Sequence, residues 1–329
     1  MSKRPNLLAS FSEKLTFGVE LEFGIRFSKR PFTLQEKIWE LVRDTLIVET
    51  GFDILSQGDV KKLDADLWLP SSTQKIPQAA LFNTWVVGAD ATLHFTDERK
   101  ADKAYYCPIE IRSPVLKFGT EAFKEVHKML TAIHKHFDVV VNRSCGFHVH
   151  VGKGKAGLNF TPLQHLMATL WVFEPQISEL IHKSRAMTGS YCPSLHVRSN
   201  LGVLKYEGKL LDVLLGTTDV NEVVEMFSGY MLFNYMSYRI EGLRIPHLNP
   251  VKRTIEFRQH EGTMDSETVL NWDLKIFLSK YTNSPECYSV EDLFDEIGFP
   301  KSAVEFYRGK VQRLRRIEQK EDGKKAKNK

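Results

Sequence analysis

Four short segments of the chain carry acidic, imidazole and guanidinium side chains at a spacing of two. They are TFGVELEFGIRF at 16–27, CPIEIRSP at 107–114, CGFHVHVG at 145–152 and RTIEFRQHEG at 253–262. On an extended strand, residues two apart share a face. Each segment therefore has an apolar side and a polar side. The apolar sides hold Phe17, Val19, Leu21 and Phe23, then Ile109 and Ile111, then Phe147, Val149 and Val151, then Ile255 and Phe257. The polar sides hold Gly18, Glu20, Glu22 and Gly24, then Glu110 and Arg112, then His148 and His150, then Glu256, Arg258 and His260. An antiparallel sheet with one wet face also alternates in this way. Such faces favour Thr, Ser, Lys and Gln, whereas these collect glutamate, histidine and arginine without a lysine. Glutamates so concentrated raise each other's pKa unless something positive sits among them, and a metal ion supplies that charge.

Ligand hardness points to the ion. Carboxylate oxygens with one or two imidazoles suit Mg²⁺ or Mn²⁺ better than zinc. The His148/His150 pair alone is a weak zinc signal. The run Glu256-Phe-Arg258 says more, because an arginine beside a metal-binding glutamate can grip a phosphate bidentately. Its plainer alternative is a buried ion pair. Glycines at 18, 24, 146 and 152 suit turns or bulges, or leave room for a phosphate or another backbone.

The elements that must position these groups are legible in outline. Thr16–Phe27 alternates as a strand. Helical spacing runs over 33–48, with Thr33 as a candidate N-cap. Residues 50–80 read as a long loop, expected over the site because long loops are often functional. Short strands are expected at 85–88 and 109–112, an amphipathic helix at 119–137, and a strand at 147–151. A helix follows over 162–183, where Pro175 implies a kink or two helices. Residues 184–218 read as irregular, 221–235 as helix, 254–259 as the last strong strand and 266–281 as helix. A final helix starts near Ser302 and gives way to a charged, disordered tail ending in KKAKNK. This mixture predicts an α+β fold, an antiparallel sheet with helices on one face.

Composition bounds the remaining choices. The 329 residues are 42% hydrophobic and 26% charged, with a net charge of +4. This is ordinary for a globular protein and gives no reason to expect a nucleic-acid or membrane partner. Four scattered cysteines suggest no disulfide framework, so a reducing compartment is expected. Without an apolar run of signal or membrane-span length, the expected location is cytoplasmic.

With ExE, HxH and IEFR in this order, the chain resembles the carboxylate–amine ligases of the glutamine synthetase superfamily, and most closely the amidoligase family. The matching motifs are GVELEF at 18–23, WVVGADATL at 85–93, EIRSP at 110–114, NRSCGFHVHVG at 142–152 and TIEFRQHEGTMD at 254–265. The resemblance covers roughly residues 15–280. It implies a glutamine synthetase-like curved antiparallel sheet, helices on one face, and an open polar concave face for ATP, Mg²⁺ (or Mn²⁺) and substrates. By position, it makes Glu20, Glu22, Glu110, His148 and Glu256 metal ligands. It sets His150 near the nucleotide phosphates and gives Arg258 both nucleotide binding and stabilisation of the transferring phosphoryl group. Asp90, Asn142 and Glu261 would line the acceptor pocket, with Glu261 also taking the amine's proton. The chain departs from the family pattern at Asp90-Ala91-Thr92 and in YRIEGLRIPHLN, so Arg239, Arg244 and Asn249 receive no role.

The organisation implied is a lead-in over 1–14, a catalytic domain over 15–283, and a helical extension with a charged tail over 284–329. The expected activity is ATP-dependent ligation of a small-molecule or peptide carboxylate to an amine through an acyl phosphate. The rivals are a phosphotransferase on the same fold, a metal-dependent hydrolase using HxH and glutamate, and a degenerate binding module. The identity of the acid and amine and the oligomeric state are not legible in the sequence.

Overall fold

Alternation over 12 residues makes Thr16–Phe27 the central strand, β1. The structure is a computed structural model. It describes residues 15–31, 34–60, 82–154, 157–183, 185, 191–203, 210–229, 236–244, 253–272 and 301–327. The fold is α+β, as expected. The chain divides into two units: 1–157 with 248–256 and 262–270, and 158–247 with 257–261 and 271–329.

In the first unit, β1 pairs antiparallel with β4 (Tyr105–Arg112) on one side and β7 (Gly146–Gly152) on the other. Its ends also pair with β5 (Leu116–Lys117) and β6 (Val139–Val140). Beyond β4 lie β3 (Trp85–Gly88) and β2 (Ile54–Ser56), and beyond β7 lies β9 (Thr254–Glu261). The β2–β3 pair is parallel, so the sheet is mixed rather than purely antiparallel. The same pair corrects part of the long loop expected over 50–80, because Ile54, Leu55 and Ser56 partner Trp85, Val86 and Val87. Residues 61–80 of that loop lie outside the described residues.

The apolar faces bury as the alternation requires. Leu21, Phe23, Ile109 and Ile111 are wholly enclosed. Helix α1 (Gln35–Thr50) contributes Ile38, Trp39, Val42 and Leu46 to this core. Helix α3 (Thr120–His136) contributes Val126, Met129, Leu130 and Ile133, and Phe123 on it meets Phe17 of β1. A shorter helix, α2 (Thr96–Asp102), stands between β3 and β4. Leu34 occupies the N-cap position of α1, and no side-chain hydrogen bond caps the helix there; Thr33 lies outside the described residues. The helix ends on Gly51, whose left-handed φ of 69° lets its N–H reach the Ile47 carbonyl.

The second unit opens with α4 (Phe160–Glu179), one helix despite Pro175. Proline has no N–H for the Trp171 carbonyl one turn back. The His196 ring fills that vacancy, with Nε2 at 2.7 Å from the Trp171 oxygen and the imidazole stacked on the indole at 3.9 Å. The described residues of 184–218 are more regular than expected. They include the short helices α5 (Leu195–Arg198), α6 (Asn200–Val203) and α7 (Leu210–Leu215). Wholly buried Glu174 accepts from the Ser194 hydroxyl at 2.6 Å and the Leu195 N–H at 2.9 Å, which anchors α5. Helix α8 (Val220–Phe227) follows, with its N-terminal N–H groups taken by Asp219. Residues 230–235 of the helix expected there lie outside the described residues. Strand β8 (Tyr238–Arg239) meets the later part of β9 through the Arg258 N–H and the Ser237 carbonyl. Helix α9 (Ser266–Asn271) belongs mainly to the first unit, and 273–281 lie outside the described residues. The last helix, α10 (Lys301–Lys327), runs into the charged tail that the sequence suggested was disordered. Among the described residues no helix is long and apolar enough to cross a membrane.

Candidate active site

Register turns the four polar faces into one surface. Glu20 sits opposite His148 of β7 and Arg112 of β4, and Glu22 sits opposite Glu110. A slip of one residue would turn all of these toward the apolar core. The face is not a wet one. Glu20, Glu22, Glu110, His148, His150 and Glu256 are each less than a tenth exposed.

The buried groups fall into two sets. Ligand atoms of Glu20, His150 and Glu256 lie within 4.8 Å of one another, as do those of Glu22, Asp90 and Glu110. His148 stands between the sets, its Nδ1 3.4 Å from Glu20, 3.6 Å from Glu22 and 3.8 Å from Glu256. His150 Nε2 is 3.0 Å from Glu20, and its Nδ1 is 3.1 Å from the Thr254 hydroxyl. The Gly146 N–H donates to Glu22 at 2.5 Å.

Charge decides what such an arrangement needs. Two carboxylates about 4.8 Å apart repel by roughly 3 kcal/mol at an effective dielectric near 20, so three mutual pairs approach about 10 kcal/mol. That rivals the whole stability of an ordinary domain. Glu110 registers the strain. Burial, then Glu20, Glu22 and Asp90, push it up to about 7, although Arg112 opposes them from 3.4 Å. His148 Nε2 is buried without a hydrogen-bond partner among the described residues. Two clusters of buried carboxylate oxygens, with the His148 and His150 imidazoles beside them, fit divalent cations of the Mg²⁺ or Mn²⁺ kind.

The structure gives the other expected site residues the following surroundings. Asp90, assigned to an acceptor pocket by resemblance, brings its carboxylate to Glu22 and Glu110. It also accepts from the Thr92 N–H and hydroxyl, each at 2.6 Å. His150, expected near phosphates, joins Glu20 and Glu256. Asn142 spends its amide on local structure, donating to the His94 carbonyl at 2.8 Å and to Glu98 at 2.9 Å, and accepting from the Ser144 N–H at 2.9 Å. Arg258 and Glu261 belong to the second unit. There the Arg258 carbonyl accepts from Arg185 at 3.4 Å, and Glu261 pairs with Lys310 at 2.7 Å. Burial alone would raise Glu261, but Lys310 and the His182 N–H overcome it and hold the carboxyl near 2. A group so acidic takes protons poorly. His260, grouped with the polar faces by alternation, is completely buried and engaged by Lys310 at 2.8 Å.

Asp90 as a partner of Glu22 is the assignment that sequence reasoning missed. Five residues on, the Phe95 ring packs where a Cβ on Gly24 would come within 2.6–2.9 Å, and it stacks on Tyr106 at 5.6 Å. Gly24 is therefore room for a ring that anchors the loop bearing Asp90. Gly262 similarly permits close approach to Cys145, whose carbonyl accepts its N–H at 2.8 Å. The substitution Gly24→Ala should cost about 1–3 kcal/mol by overpacking and weaken Mn²⁺ binding, as read by urea denaturation and metal titration. Unchanged stability and affinity would mean that the ring is not what holds the loop.

A family model described as "Putative amidoligase enzyme" matches residues 13–275, a span that includes all four strand motifs and Asp90. No curated protein matches the chain.

Proposed function

The chain belongs to the amidoligase family, and we propose that its two buried carboxylate sets serve ATP-dependent joining of a carboxylate to an amine. The observation that carries this reading is the pairing of Glu20–His150–Glu256 with Glu22–Asp90–Glu110, five of them on one sheet face and Asp90 reaching it from the loop after β3. Glu20, His150 and Glu256 would hold one divalent ion and Glu22, Asp90 and Glu110 another, with His148 Nδ1 near both sets. Bound there, the ions would offset the charge gathered among phosphates and carboxylates.

In this scheme the acid's oxygen attacks the γ-phosphorus, the bond to the β-phosphate oxygen breaks, and ADP leaves an acyl phosphate. The amine nitrogen then attacks the acyl carbon, phosphate departs carrying the proton that the nitrogen loses, and an amide remains. Arg258 is assigned the equatorial oxygens of the transferring group, where a planar, permanently charged guanidinium gains most. Glu261, ionised at any working pH, is better suited to holding a cationic amine than to taking its proton. Holding both reactants could supply roughly 7–11 kcal/mol of the barrier in favourable cases.

The arrangement is a poorer fit to a zinc hydrolase. His148 and His150 do not fall in one ligand group among the described residues, and carboxylates outnumber imidazoles in both groups.

The test is release of ADP and phosphate from MgATP with amino acids and polyamines screened in pairs, the amide product being identified by mass. Turnover should require both an acid and an amine. Glu20→Gln should lower it at least about 100-fold with an unchanged circular dichroism spectrum, since even supporting groups around a metal contribute 10–100-fold. Phosphorylated product without amide would make the protein a phosphotransferase. No turnover with any pair and no ATP binding by calorimetry would remove the ligase reading altogether.

A further inference from the structure

The family match ends at residue 275, and α10 begins well past it at Lys301. This helix nevertheless buries Ala303, Tyr307, Lys310 and Val311. Lysine is rarely buried, because an ammonium taken from water costs more than packing returns unless it is met by charge and hydrogen bonds. Lys310 is only 7% exposed. Its Nζ lies 2.7 Å from Glu261 Oε1 and 2.8 Å from His260 Nε2. The His260 Nδ1 bonds the Glu261 carbonyl at 2.7 Å. That nitrogen must therefore carry the ring proton, which leaves Nε2 to accept from the ammonium. Burial pushes His260 down to about 4 and keeps it neutral for that task. Its ring meets Trp272 edge-on at 4.6 Å. The other Glu261 oxygen accepts the His182 N–H at 2.9 Å. All of these residues belong to the second unit.

An apolar side chain of similar length would fill the same space without the desolvation cost. The ammonium is aimed instead at the carboxylate that ends the strand carrying Glu256 and Arg258. We propose that Lys310 is a positioning residue, supplied by a helix outside the family match, that fixes the Glu261 carboxylate and the end of β9 for the reaction. The proposal rests on the ligase reading for the identity of that reaction.

The test uses the full-length protein with Lys310→Met, Lys310→Arg, Glu261→Gln and the double variant Lys310→Met/Glu261→Gln. MgATP affinity is measured by calorimetry. The kcat and KM for ADP release are measured with the acid–amine pair found in the screen. Lys310→Met should bind MgATP within about twofold of the parent while kcat falls roughly 10–100-fold, the range for groups that orient a working residue. Lys310→Arg, which keeps the charge, should recover most of the loss. The double variant removes both charges, so it should regain any lost thermal stability yet stay as slow as Glu261→Gln. Parental kcat in a folded Lys310→Met would overturn the proposal. So would a double variant that recovers kcat together with stability, because Lys310 would then only neutralise a buried charge. A parent protein that neither binds nor turns over MgATP would overturn the ligase reading itself, and the reaction assigned to Lys310 with it.

Discussion

Replacing Glu256 with glutamine should reduce turnover by about 10³-fold or more while leaving a protein that folds at least as well without metal. The loss is set by charge rather than shape. Glutamine keeps the size of the side chain but offers a neutral amide where Glu20 and His150 converge with Glu256 within 4.8 Å. Single groups that stabilise transferring phosphoryl charge are worth roughly 10³–10⁵ in rate. Stability should move the other way. In the metal-free protein Glu256 adds one more buried negative charge, 3.8 Å from His148 but close to Glu20. Removing it relieves repulsion of roughly 3 kcal/mol per close pair before screening and rearrangement reduce that figure. Calorimetric melting of parent and variant, each with EDTA and with Mn²⁺, reads both halves. The parent should gain far more from Mn²⁺ than the variant does. A variant that unfolds without metal, or that keeps parental turnover, would contradict a ligand role for Glu256.

The second large effect is a fall in the stability of the metal-free protein as pH rises from about 4.5 to about 7. Glu110 is pushed up to about 7 by burial first and then by Glu20, Glu22 and Asp90. In the unfolded chain its pKa stays near the ordinary 4.5. Below 4.5 both states hold the proton and no cost arises. Between the two values the unfolded state releases the proton and the folded state keeps it. The folded state then binds more protons, and stability falls with pH. Above 7 the loss is complete. A shift of this size corresponds to about 3 kcal/mol, an order-of-magnitude figure for so crowded a group. Urea denaturation with EDTA across that window should show the decline, and Glu110→Gln should flatten it. Mn²⁺ at pH 7.5 should restore what was lost, because a cation stabilises the ionised cluster. A flat or rising profile in the parent would falsify the claim that Glu110 is strained by its neighbours.

Much of this site was open to inspection before any coordinates. Period-two alternation is a local property, so Glu20, Glu22, Glu110, His148, His150 and Glu256 could be assigned to polar strand faces from residue types alone. The same locality explains the core. Leu21, Phe23, Ile109 and Ile111 had to point the other way, and all are enclosed. Helices α1 and α3 were legible for a similar reason, since their apolar stripes recur every three or four residues. Ile54–Ser56 was not, because three residues carry too little pattern to announce a strand, and its partner at Trp85–Val87 lies far along the chain. The persistence of α4 through Pro175 was equally hidden. It depends on a histidine 25 residues past Trp171 that bonds the carbonyl proline leaves bare.

The amino-acid sequence by itself determined which side chains share a face and the excess of carboxylates on it. Only the tertiary structure decided how those carboxylates divide. Register set Glu22 against Glu110, while the loop after β3 brought Asp90 to the same pair. Tertiary contacts also decided the environment of Glu261, whose charge is balanced by a lysine 49 positions later on α10. The physical reason is range. Face and charge type follow from neighbours two residues apart. Distances between carboxylates, and the pKa values they produce, depend on strands, loops and helices that meet only when the chain has folded.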